Sequence, residues 1–152
     1  MSSDPAAPPG PAGPPSVRCF QIDLSAEAHP VSSARRSVRG ALTALAVAEL
    51  VGEDTVLVVC ELVANAALHA GGPGLLGLTV LRDGALLVEV GDTSSALPRH
   101  RPAGRGRPGG HGLLVVQRLS RRWGSSPAPR GKIVWAEIPN AVPTSAVARM
   151  AP

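Results

Sequence analysis

Aromatic side chains are nearly missing from this chain: two tryptophans, one phenylalanine and no tyrosine, 2% of the residues. Its core must therefore rest on Leu, Val, Ile and Ala, and there is almost nothing from which to build stacking platforms for single-stranded nucleic acid. Lysine is as scarce. Lys132 is the only one, so arginine supplies nearly all the positive charge behind a formal net charge of +4. That balance favours anionic partners without choosing among nucleotide, nucleic acid and an acidic protein face. Cysteine stops at two, Cys19 and Cys60. They lack metal-type spacing and each sits in an apolar stretch, so both read as reduced, buried thiols. No apolar run approaches the roughly 18 residues that span a bilayer. Residues 1–16 also lack the basic start and apolar middle of a secretory signal. The expectation is a cytoplasmic protein with no membrane role.

What is present suits one modest core: 152 residues, 44% of them hydrophobic. Residues 1–16 (MSSDPAAPPGPAGPPS) cannot bury enough surface to offset ordering entropy and read as a disordered tail. The domain is expected over 17–139, and 140–152 read as a weakly patterned C-terminal tail. Val17–Asp23 alternates as a strand. Pro30 opens a helix whose apolar or small positions, Ala34, Val38, Ala41, Leu42 and Leu45, share one face, ending near Gly52. A second helix follows at once, with Glu53 and Asp54 at its N-terminus and a body from Thr55 to Ala70. Gly71-Gly72-Pro73 stops it. Leu75–Arg82 and Ala85–Val90 read as strands joined by the hairpin dipeptide Asp83-Gly84. Pro98 to Gly109 is an arginine-, glycine- and proline-rich loop. Leu113–Trp123 reads as a third helix closed by Gly124, and Ile133–Ile138 as a last strand. Strands grouped with helices on one side predict a two-layer α/β (α+β) sandwich, with one sheet face covered and the other comparatively open.

Three segments carry chemistry. Glu61, Asn65 and His69 are four residues apart, so they drift only about 40° per step and form one polar stripe on an otherwise apolar helix. Alone, that stripe also fits the solvated face of an amphipathic helix. Asp92 ends an apolar strand and leads into Thr93-Ser94-Ser95. A carboxylate there can accept a hydrogen bond from an adenine amino group, or simply cap the strand in an Asx-type turn. Gly110-His111-Gly112 opens the third helix, where free backbone N–H groups and the helix dipole favour phosphate. It is neither a Walker A loop nor a dinucleotide fingerprint, and alone it also fits a flexible helix entry.

In this order, the three segments resemble the N, G1 and G2 boxes of the GHKL ATPase superfamily, and within it the small anti-sigma-factor serine/threonine kinases. The matching segments are ELVANAALHA (61–70), VEVGDTSSALP (88–98), GGHGLLVVQRLSRRWG (109–124) and GKIVWAEI (131–138), and ARRSVRGAL (34–42) is similar to the family's first helix. The resemblance implies the Bergerat fold: a mixed, mostly antiparallel sheet covered by about three helices, binding ATP with Mg²⁺. It implies that Asn65 ligates the metal and that Glu61 is the general base. Asp92 then reads the adenine amino group, and Gly110 and Gly112 admit the phosphates. Leu97, His111 and Leu113 flank the nucleotide, and His69 packs or hydrogen-bonds beside it rather than moving protons. The arginines of the 99–107 loop lie where the family carries its ATP lid, and they either neutralise phosphate or are merely solvated. Ser94 and Ile133 depart from the pattern; Ile133 stands where a threonine commonly helps hold a water beside the base.

The function implied is a kinase that phosphorylates a small partner of the anti-sigma antagonist type and sequesters a sigma factor, with homodimerisation a further implication of the family. The alternative is a nucleotide-dependent protein-binding switch without useful catalysis. Nucleic-acid binding through the arginine loop is disfavoured by the missing aromatics and the lack of a recognition helix. A histidine kinase is disfavoured because there is no room for a phosphoacceptor helix pair.

Overall fold

Proline at the first turn and a left-handed residue beyond the last bound the first helix, and together they decide where the second one starts. The structure, a computed structural model, describes residues 18–68, 71–93 and 112–150. Helix α1 (Pro30–Ala44) begins with Pro30, whose fixed φ suits the first helical position. It buries Ala34, Val38, Ala41 and Leu42, the face anticipated from their spacing. It stops at Ala44 rather than running on to Gly52. Ala46 adopts φ 58° and donates its N–H to the Thr43 carbonyl, while the Val47 N–H reaches back to Leu42. This 5→2 and 6→1 pair closes the helix as a Schellman motif, with Leu42 and Val47 both packed at the core.

Helix α2 (Glu49–Ala67) therefore starts four residues before Glu53, and Gly52 lies inside its first turn. A left-handed alanine costs about 1–2 kcal/mol that glycine does not incur. Ala46→Gly is thus expected to raise Tm by about 2–4 °C in a thermal melt, the equivalent of about 1 kcal/mol for a chain of this size. An unchanged or lowered Tm would contradict the cap.

Five strands follow the order β1-β2-β3-β5-β4: β1 (Cys19–Asp23), β2 (Pro73–Val80), β3 (Leu86–Asp92), β4 (Arg122–Ala128) and β5 (Gly131–Ile138). Every pairing is antiparallel, so the two-layer sandwich holds and its sheet is antiparallel throughout the described residues rather than mixed. Strands β2 and β3 are joined as expected at Asp83-Gly84. The Gly84 N–H bonds Leu81, the Leu81 N–H bonds Ala85, and Gly84 takes φ 87°. That is a three-residue loop closed by a glycine bulge. Arg121 donates to Asp83 Oδ2 at 2.6 Å, and chiefly through that bond holds the carboxyl below its ordinary range.

The third helix, α3 (Gly112–Leu119), is shorter than its apolar pattern suggests. Of the residues expected to finish it, Arg122 and Trp123 instead open β4, which pairs Arg122 with Glu137 through Ala128 with Gly131. Its Gly, Ser-Ser and Pro disguise a strand. Because β4 is the sheet edge, Pro127 is tolerated there. After Pro139, Ala141 and Val142 are buried, and a fourth helix, α4 (Thr144–Met150), lays Val147 and Met150 against the core.

The core lies between helices and sheet. Alternate residues of three strands (Leu76, Leu78 and Val80; Leu86, Val88 and Val90; Val134, Ala136 and Ile138) share it with Val38, Val59, Leu62 and Val63 of the helices. One rung crosses the opposite face: Gln21, Gly77, Glu89, Trp135 and Gly124. That face is less open than expected. Trp135 is 1% exposed, with the Arg122 guanidinium 5.6 Å above its ring, and buried Glu137 accepts from Arg121 at 2.9 Å and Arg122 at 3.2 Å. Cys19 is exposed at the edge strand rather than buried, and both cysteines are free thiols. Among the described residues no helix is long and apolar enough to cross a membrane.

Glu89 sits in a cleft of about 560 Å³ on this face, with Gln21, Leu75 and Ile133 around it. Burial alone raises its carboxyl pKa above the ordinary 4.5. A folded-state pKa above the unfolded one means that the penalty is absent below the unfolded value and appears as pH rises through the folded one. Glu89→Gln is therefore expected to raise Tm near neutral pH and to change it little at about pH 4. The gain should be modest because water still reaches the carboxylate. Melts across that range check both the sign and the window.

Candidate functional site

Helix α2 places Glu61 and Asn65 on successive turns, both half-buried, between the apolar anchors Leu62, Val63 and Ala66 that fix the helix on the sheet. The start of α3 closes on the first of them. A Cβ added at Gly112 would lie 2.5 Å from Glu61 Oε2 and 3.4 Å from Cδ, so a larger residue there would make the carboxylate shift. Leu113, the next residue, is buried and anchors the contact. A carboxylate, a carboxamide and a helix N-terminus thus share one corner of the fold.

Asp92 ends β3 with its side chain fully buried. Its register partner on β5 is Lys132, whose Nζ donates to Asp92 Oδ2 at 3.2 Å. Lys132 is itself 3% exposed. The two strand ends are pressed together: Gly131 has φ 133°, and a Cβ there would run into the Asp92 carbonyl oxygen and the Thr93 backbone. This register corrects one expectation. The residue beside Asp92 is Lys132, while Ile133 alternates to the opposite face and lines the Glu89 cleft. Asp92 and Lys132 border that cleft as well.

Among the described residues, Glu61 and Gly112 meet directly, Asn65 follows one turn along, and Asp92 is joined to Lys132. His69, Leu97, Gly110, His111 and the arginine loop 99–107 lie outside the described residues. Lys132 is the site residue that sequence reasoning passed over. Its signal was available: the only lysine of the chain, placed next to a glycine at the start of an apolar strand.

The donor set suits a nucleotide with a hard cation. Among the described residues no group of three or more His, Cys, Asp or Glu gathers as a metal cage. A cation here would rest on the Asn65 amide oxygen, with phosphate and water supplying the remaining ligands. Mg²⁺ favours that arrangement because it dehydrates reluctantly.

Comparison with known proteins bears on the fold. Residues 24–138 match the family model described as the histidine kinase-like ATPase domain. No curated protein matches the chain. Among solved structures it is similar to a chain of the SiaB–SiaC complex from Pseudomonas aeruginosa, with a TM-score of 0.59 and 19% identity over 81% of this chain and 90% of that one. That likeness concerns the fold. With the family match covering most of its length, this chain belongs to the histidine kinase-like ATPase domain family.

Proposed function

We propose that this protein is an ATP-binding regulator that phosphorylates a serine or threonine on a small partner of the anti-sigma antagonist type. The observation that carries the reading is the Glu61 carboxylate held against Gly112 at the start of α3, one turn from Asn65. ATP supplies the γ-phosphoryl group. Asn65 holds Mg²⁺ through its amide oxygen, and the N–H groups at the start of α3 meet the phosphates. Asp92 accepts from the adenine amino group. Glu61 takes the proton of the partner's hydroxyl as that oxygen bonds to phosphorus, and ADP departs with the electrons of the broken P–O bond.

The similar fold in a two-protein complex supports a partner-binding role, and sequestration of a sigma factor by the same domain is part of what we propose. The test is to titrate the protein with Mg-ATP by calorimetry, then recover its partner from cell extract with and without ATP and assay it for phosphoserine and phosphothreonine. Saturable binding with an ATP-dependent phosphorylated partner is the expected result. Binding without transfer would reduce the protein to a nucleotide-dependent switch, and no binding would overturn the reading.

A further inference from the structure

We propose that Lys132 is a base-reading residue, which together with Asp92 discriminates adenine from guanine by direct contact rather than through water. The inference rests on the reading above, in which Asp92 meets the adenine amino group. Its own evidence is the register pair Asp92–Lys132, the 3.2 Å contact and the burial of both side chains at one end of an otherwise apolar face.

A buried ion pair is a poor device for stability alone, since an apolar pair of similar volume is often as good or better. It stands at the end of a face otherwise lined by Val90, Val134 and Leu76, so its two charges are polar groups that this end of the sheet can offer a ligand. The two groups differ in sense: a carboxylate only accepts and an ammonium only donates. The hydrogen-bonding edge of adenine carries the complement, an amino donor at N6 beside the N1 acceptor. With Asp92 on the amino group, Lys132 is the adjacent donor and reaches N1.

Guanine in the same pose inverts both positions. Its O6 acceptor faces the carboxylate and its N1–H faces the ammonium, so two contacts become repulsive at once. Buried groups left unpaired by the wrong ligand are what give strong discrimination.

The experiment compares Mg-ATP with Mg-1-deaza-ATP, which lacks only the N1 acceptor, by calorimetric titration of the wild-type protein. ATP is expected to bind about 10–100-fold more tightly, the range for a hydrogen bond to a charged group, and GTP to show no saturable binding. In Lys132→Met the preference between the two adenine ligands should fall to about unity. Equal affinities in the wild type would overturn the inference while leaving nucleotide binding intact. A wild type that binds no ATP would overturn the site reading and this inference with it. If the variant does not fold, the wild-type pair of titrations can still overturn the inference, because it requires a contact at N1.

Discussion

Glu61→Ala is expected to bind Mg-ATP with nearly wild-type affinity and to transfer its phosphoryl group about 10²–10⁴-fold more slowly, the range for loss of a general base. The separation follows from when the carboxylate acts. It touches neither the base nor the buried end of β3, so ground-state binding should not register its loss. Proton removal develops only as the hydroxyl attacks, so the loss falls on kcat, with KM for ATP little changed. A structural account competes with this one, because Glu61 also lies against Gly112 and its removal opens space beside α3. Glu61→Gln separates the two. The amide fills the same volume against Gly112 but cannot take a proton at neutral pH. If the side chain acts as a base, glutamine should be as slow as alanine. If it only packs, glutamine should restore transfer. Initial rates of labelled phosphate transfer to the partner give the comparison, and wild-type rates in the glutamine variant would remove Glu61 from the chemistry.

The parts of the fold that sequence revealed are those decided locally. The Asp83-Gly84 loop formed where that dipeptide stands, since Gly84 takes a positive φ at no steric cost. Helix α2 and its Glu61–Asn65 spacing were legible because a four-residue step fixes which side chains share a face. The misread parts depend on partners distant in sequence. RWGSSPA looks like the end of a helix and a loop; only pairing with β5 makes it a strand, and only its place at the sheet edge makes Pro127 acceptable. The break between α1 and α2 falls at Ala46, where no glycine marks the left-handed residue, so the boundary was placed at the next glycine, Gly52. Lys132 was missed for a related reason. Which residue of Gly131-Lys132-Ile133 faces Asp92 is a question of strand register, and register is set by the whole sheet.

Lys132→Met is expected to lower the unfolding free energy by about 3–5 kcal/mol, the usual cost of removing one member of a buried ion pair. That is a large fraction of the about 5–15 kcal/mol that holds a typical domain together. The loss comes less from the missing attraction than from the carboxylate left behind. Asp92 has a fully buried side chain at the end of β3, and once this ammonium is gone it must lean on its remaining interactions, take up a proton or admit water. The double variant Asp92→Asn with Lys132→Met removes both charges from nearly the same volume, and its stability should return to within about 1 kcal/mol of the wild type. Urea unfolding of the wild type, both single variants and the double variant closes the cycle, with an expected coupling of about 2 kcal/mol or more. Because this measurement needs no nucleotide, it tests the pair apart from any ligand. If the double variant instead loses as much as the two single variants summed, the two side chains act independently, and Lys132 is held at the end of the sheet by something other than the carboxylate facing it.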